Sequence, residues 1–273
     1  MTVDRHGRAL GLSHQWWGPA AAVLSLALLA SACSSPGEPG GAEDASPASS
    51  TTTAPDGSAN GARTAYTLPA SCAALGPEPG ATHPGASVAT CWGDALRAHG
   101  SVRAWTNGPP AMEVELELEP RDRLRTVASD GRVVVLADGV SYGLLDGRWT
   151  RGVLNSEVED EALVAATGEF AAVTFSPEGL AQGVGECRTW RVAPGRSALP
   201  LHDGTQVSRL VRLDCTAPFD TLGATTTGAS LWVHEDWTPV RHAATLSVGG
   251  ASAESVKDFT DHGATFDIPT PLP

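Results

Sequence analysis

The chain reads as an α+β domain built on one large antiparallel sheet. A two-residue alternation without error runs from Met112 to Glu119. Asp-Gly pairs stand beyond it at 130–131, 138–139 and 146–147, and helix-start signals stand at Ser156 and Ser176. A sheet with one wet face, folded by tight turns and interrupted by few helices, accounts for all three.

In chain order, helical spacing comes first, over residues 89–98, ahead of the first strand. Strands are expected at 101–107, 112–119, 124–129, 132–138, 140–145 and 148–153. In the second of these Met112, Val114, Leu116 and Leu118 share one face, and Glu113, Glu115, Glu117 and Glu119 share the other, which reads as a solvated outer surface. The Asp-Gly pairs supply the positive φ that short hairpin turns require, so these six strands form a meander. Ser156 with Glu159 three residues on has the pattern of a capping box leading into Leu163, Val164 and Phe170. Ser176-Pro177-Glu178 opens a short helix through Leu180, because proline suits the first helical position. Sheet resumes near 184–192, 206–215, 230–234, 240–248 and 255–261. Between the first two, residues 193–205 carry Pro194, Gly195, Pro200 and Gly204 and read as an exposed loop.

The N-terminus has a different character. Arg5 and Arg8 precede an apolar run over residues 16–29, which is short of the roughly 20 residues a membrane-spanning helix needs. Small Ala30, Ser31 and Ala32 then lead to Cys33. This resembles a bacterial lipobox, with Ala30 where Leu is commoner, and implies cleavage before Cys33 and a diacylglyceryl thioether on its sulfur. Two acyl chains suffice for stable anchoring, at about 0.8 kcal/mol per buried methylene. The alternative is a soluble secreted protein cut at Ala-Ser-Ala, with Cys33 incidental. The organisation is therefore a signal peptide at 1–32, a Ser-, Pro-, Gly- and Thr-rich tether at 33–65 that is expected to be disordered, and a folded domain at 66–273.

Of the five cysteines, Cys33 is set aside for lipid, leaving Cys72, Cys91, Cys187 and Cys215, an even set suited to an oxidising compartment. Three connectivities are open. The shortest loops pair Cys72 with Cys91 and Cys187 with Cys215. If the latter two face each other in a hairpin, Thr189 lies beside Leu213 and Trp190 beside Arg212, where the guanidinium could cover the indole.

Composition excludes several functions. The net charge is −13, Lys257 is the only lysine, and the loss of residues 1–32 makes the chain still more acidic, so nucleic acid is not an expected partner. Heavy use of Arg, Ala and Gly fits a high-GC genome such as an actinobacterium's. No nucleophile elbow, HExxH or phosphate-binding glycine loop is present, and neither metal nor cofactor is expected. His234-Glu235-Asp236 is the one dense acid-base cluster, placed at a strand end beside Thr238-Pro239, where polar turn residues belong. His99, His202, His242 and His262 are scattered without ligand spacing. An enzyme is not expected.

Several longer motifs carry a resemblance. They are Asp94-Ala-Leu-Arg-Ala-His-Gly-Ser-Val-Arg103, Asp138-Gly-Val-Ser-Tyr-Gly-Leu-Leu-Asp-Gly-Arg-Trp149, Leu231-Trp-Val-His-Glu-Asp-Trp-Thr-Pro-Val-Arg241 and Asp258-Phe-Thr-Asp-His-Gly-Ala-Thr-Phe-Asp-Ile268. With the lipobox and tether, they make residues 66–270 similar to the LppX/LprG type of mycobacterial lipoprotein. The resemblance implies a strongly curved antiparallel half-barrel, like that of the carrier LolA, with helices over its concave face. It also implies a cell-envelope monomer that binds or carries a lipid or glycolipid between sheet and helices. Candidate wall residues are Val114, Leu116, Leu118, Val133, Val135, Leu163, Phe170, Val211, Leu213, Leu246 and Val248. The alternative is a binding or accessory module of the envelope in which these side chains pack on one another.

Overall fold

A computed structural model describes residues 66–119, 122–221 and 223–271. The signal segment, Cys33 and the tether at 33–65 lie outside the described residues.

The meander is observed: β2 (Ser101–Thr106), β3 (Met112–Glu117), β4 (Arg123–Ala128), β5 (Val133–Ala137), β6 (Val140–Leu145) and β7 (Arg148–Arg151) pair in sequence, each antiparallel to the last. Asp138 and Gly139, and likewise Asp146 and Gly147, all have positive φ, which turns the chain in two residues. The rest of the sheet is built from β1 (Thr82–Pro84), β8 (Thr189–Val192), β9 (Ser197–Pro200), β10 (Gln206–Cys215), β11 (Phe219–Thr221), β12 (Ala224–Val233), β13 (Pro239–Val248) and β14 (Ala251–Thr260). Among the described residues this is a 14-stranded open antiparallel sheet, with β9 and β11 as side branches and the order β1-β8-β10-β12-β13-β14-β2 through β7. The last strand, β14, closes against the first of the meander, so the two halves of the chain share one sheet. With helices laid over one face, the architecture is an α+β half-barrel.

Four helices are described: α1 (Ala70–Ala73), α2 (Gly85–Ala98), α3 (Glu159–Phe175) and α4 (Pro177–Gly185). Ser156 does not cap α3 directly. Its Oγ accepts from Val158 N and donates to Glu161, so the capping group stands outside a helix that begins at Glu159. Ser176 does cap α4, accepting from Gly179 N at 3.0 Å with Pro177 in the first turn. Helix α4 runs on to Gly185, which shortens the strand expected from 184 to β8.

Both faces of the sheet are covered. On the inner face the helices bury one large cluster that includes Trp92, Leu96, Phe175, Leu180, Trp190, Phe259 and Leu231. Each such side chain contributes about 1.5–3 kcal/mol by leaving water. On the outer face Phe266 and Ile268, from the segment after β14, pack on Val135, Ala137 and Tyr142. Strand β9 and Leu201 pack on Leu210 and Val240. The stretch at 193–205 is therefore a covering hairpin arm and not simply an exposed loop, because alternating Leu199 and Leu201 give it a buried edge.

Two more expectations are corrected. Both disulfides form as paired, Cys72–Cys91 and Cys187–Cys215, but Cys187 lies in the turn before β8. Cys215 faces Trp190, and Leu213 faces Val192. Trp190 accordingly meets no Arg212; it is fully buried and donates from Nε1 to Val184 O. The glutamates of β3 are also not a plain wet face. Arg103 pairs with Glu113 and with Glu115, and Arg125 reaches Glu115 from the next strand at 3.1 Å, so charges alternate in sign across three strands.

Candidate functional site

The most unusual element is α3. Its sequence is apolar nearly all round, with Leu163, Val164, Ala165, Ala166, Phe170, Ala171, Ala172, Val173 and Phe175 distributed over every face. Only one face is used for packing. Val164, Ala165, Gly168, Ala171 and Phe175 are buried, whereas Leu163 (53%), Phe170 (40%) and Val173 (43%) face outward. The approach to the sheet is close because glycines meet across it. A Cβ on Gly168 would collide with Ser141, and one on Gly152 would lie 2.7 Å from the backbone nitrogen of Ala165.

Beside this contact lies a groove of about 450 Å³, lined by apolar Leu136, Val140, Leu154, Ala165 and Ala172 and by polar Ser141, Arg151 and Glu169. It falls within the roughly 300–1,000 Å³ typical of ligand sites. Leu154 (59%) and Val153 and Val158, from the β7–α3 connection, extend the exposed apolar surface from its rim.

The expected wall residues separate into four groups. Val114, Leu116, Leu118, Val211 and Leu213 are buried in the inner cluster under the helices, where they touch protein. Leu246 and Val248 are half-buried on the inner face, toward the β13–β14 turn. Val133 and Val135 belong to the outer face, since Leu124 of the inner core pairs with Leu136 and parity sends 133 and 135 the other way. Leu163 and Phe170 sit on the outward side of α3, because its inward side is taken by Val164, Ala165, Gly168, Ala171 and Phe175, with Gly168 close against Ser141 of β6. No single hollow collects all eleven.

A second feature lies where α3 ends. Lys257 is half-buried on the inner face, the Phe175 ring lies 5.9 Å from its ammonium, and His242 and Thr106 are its direct partners on the flanking strands. Burial holds the lysine down to about 8 from an ordinary 10.5, and no acid acts on it to offset this. Burial, and then the neighbouring lysine, push His242 down to about 3. Further toward the β13–β14 turn this face pairs Ala244 with Ser255 and Leu246 with Ala253.

The remaining polar residues are engaged structurally. Glu235 pairs with Arg196 at 3.2 Å, and Asp236 accepts from Thr238 N in the turn between β12 and β13. His99 stacks on Tyr66 with ring centres 4.1 Å apart and lies 4.7 Å from His262. Burial lowers the pKa of His99 and takes that of His262 to about 3. His202 is elsewhere, stacked on Trp105 above a wholly buried Asp258 that Arg241 Nη2 holds at 2.9 Å. Among the described residues no group of His, Cys, Asp and Glu is arranged to hold a metal, and no helix is long and apolar enough to cross a membrane.

The pairing of His242 with Lys257 was legible in principle. Gly249-Gly250, read as a two-residue hairpin turn, sets this register.

No protein-family model matches the chain, and no curated protein matches it. Among solved structures, LprF from Mycobacterium bovis is similar over 69% of this chain and 97% of its own, at 14% identity and a TM-score of 0.45. The Mycobacterium tuberculosis lipoprotein LppX is similar over 68% of this chain and 98% of its own, at 12% identity and a TM-score of 0.43.

Proposed function

We propose that the protein is an exported cell-envelope lipoprotein, held through a diacylglyceryl group on Cys33 at the outer face of the cytoplasmic membrane, whose domain binds a lipid or glycolipid against helix α3. The observation that carries the ligand reading is the groove of about 450 Å³ beside α3, with exposed Leu154 in its lining, on a helix that also turns Leu163, Phe170 and Val173 to solvent. Several large apolar side chains exposed on one helix are unfavourable in water. An acyl chain laid along it gains about 25 cal/mol for each Å² it removes from water. Leu136, Val140, Leu154, Ala165 and Ala172 give the groove an apolar wall for a methylene chain, and Ser141, Arg151 and Glu169 give it polar groups that a lipid's head could meet.

A second reading, a non-carrier binding or accessory module of the envelope, is favoured by the inner cluster, which fills the space under α2 and α4 with protein side chains. Lipid extraction and native mass spectrometry of the protein purified from its host's membranes separate the two. An acylated ligand beyond the covalent anchor, lost when Leu154 and Phe170 are both replaced by Ser, supports the first. A ligand-free chain that purifies with one stoichiometric protein partner supports the second. Sedimentation of a Cys33→Ala chain with membranes would overturn the anchor.

A further inference from the structure

Lys257 is the only lysine in a chain of 31 acidic residues, yet among the described residues it has no carboxylate partner. Seven arginines of the described residues differ from it. Arg97, Arg103, Arg125, Arg132, Arg196, Arg212 and Arg241 each pair with an Asp or Glu. The acids on strand β14 next to Lys257 are turned away from it. Asp258 points to the outer face, where Arg241 and His202 hold it, and Glu254 is an exposed residue nearer the turn. On the inner face the ammonium lies over the Phe175 ring, and His242 and Thr106 stand opposite Lys257 on the flanking strands. A half-buried cation without a counter-ion is costly, and folding into apolar or hydroxyl neighbours alone does not repay it.

Position relative to the groove gives this cation a use. Ala172 lines the groove and Phe175 covers Lys257, so the two sites lie one turn apart on the same helix. Beyond Lys257 the inner face continues through Ala244 opposite Ser255 and Leu246 opposite Ala253.

Resting on the lipid-binding reading above, we infer that Lys257, with His242 and Thr106 beside it, is the head-group site for an anionic amphiphile whose acyl chain lies along α3. The shared chemistry is a carboxylate or phosphate oxygen accepting from the ammonium, with the Thr106 hydroxyl as a further donor. A neutral lipid would leave the charge uncompensated, so the site selects acidic head groups over alcohols or esters.

The test uses the full chain and three probes: palmitate, hexadecanol and inorganic phosphate. Palmitate is expected to bind more tightly than hexadecanol by about tenfold or more, the size of one charge-assisted hydrogen bond. Lys257→Met should abolish that preference and Lys257→Arg should keep it. Because Lys257 is unique, reductive methylation reads the site independently of any variant; palmitate should protect the side chain and hexadecanol should not. Equal binding of both amphiphiles by the wild type and by Lys257→Met overturns the head-group site while the lipid reading stands. Binding of neither amphiphile overturns both. Phosphate binding as tightly as palmitate shows a free-anion site and overturns the amphiphile.

Discussion

At the scale of single residues, Lys257 is the position where stability and ligand binding pull apart. Its folded-state pKa, about 8, lies below the ordinary 10.5 because burial penalises the charged form. Between those two pH values the unfolded chain holds the proton and the folded one does not, so stability rises with pH across the window. At neutral pH the lysine is charged in both states, and the folded state bears the full cost of shielding it. The Lys257→Met chain is therefore expected to melt at a higher temperature than wild type at pH 7. The gain should shrink steadily as pH is raised from 8 toward 10.5, where the wild-type side chain is discharged in either state. Melting curves at a series of pH values check this, and an equal or lower melting temperature for Lys257→Met at pH 7 would show that the ammonium is well solvated. His242 adds no competing charge at these pH values, being neutral well below them. Asp258 presents the opposite arrangement on the other side of the same strand, since it is wholly buried but answered by Arg241 and the His202 amide.

Among the elements, α3 decides what the domain offers to a ligand. The helix approaches β6 and the segment after β7 through positions that tolerate no side chain, and this spacing sets the width of the adjoining groove. Gly152→Ala would press a methyl group against backbone atoms of Ala165 at 2.7 and 2.8 Å, which cannot rotate out of the way. A destabilisation of about 1–3 kcal/mol is expected from such overpacking. The same change should alter ligand affinity, because α3 must move outward. Denaturant unfolding with a binding assay on the same variant measures both; a Gly152→Ala chain with unchanged stability would mean that the helix is not seated where these contacts put it. The sheet itself was legible because one wet face forces a two-residue period and because Asp-Gly pairs mark its turns. Less legible was anything that depends on how elements meet. Helix α3 is apolar on every side, so its sequence cannot say which side faces inward. Val133 and Val135 look like inner-face residues until the pairing of Leu124 with Leu136 settles the parity. Cys187 misled the register of β8 because a disulfide restrains two sulfurs and does not require either residue to be in a ladder. The covers on the outer face were hidden for a related reason, since Leu199, Phe266 and Ile268 lie in segments whose Pro and Gly content reads as loop.

The whole molecule is asymmetric in how firmly its parts are held. Both disulfides are in the half containing α1, α2, β8 and β10; Cys72–Cys91 fastens α1 to α2, and Cys187–Cys215 fastens the turn before β8 to β10. Closing loops of 19 and 28 residues, each contributes about 3 kcal/mol by restricting the unfolded chain. At the opposite edge, β7 has a neighbour on one side only, and α3, though it buries Val164 and Phe175, turns Leu163, Phe170 and Val173 outward. Local opening is cheapest where few apolar contacts are lost, so α3 and β7 should open well below the free energy of global unfolding. Strands β13, β14 and β2 have partners on both sides and place Ala244, Phe259, Val102 and Ala104 in the inner cluster, and should open only with the whole domain. Native-state hydrogen exchange is expected to show amides of α3 and β7 exchanging first and those of β13, β14 and β2 last. Bound ligand should slow α3 selectively, because a chain lying in the groove loses one wall when the helix lifts. Exchange from α3 as slow as that from β14 in the ligand-free protein would mean that the groove belongs to a rigid body. A lipid would then have to enter from the end of the groove without any displacement of the helix.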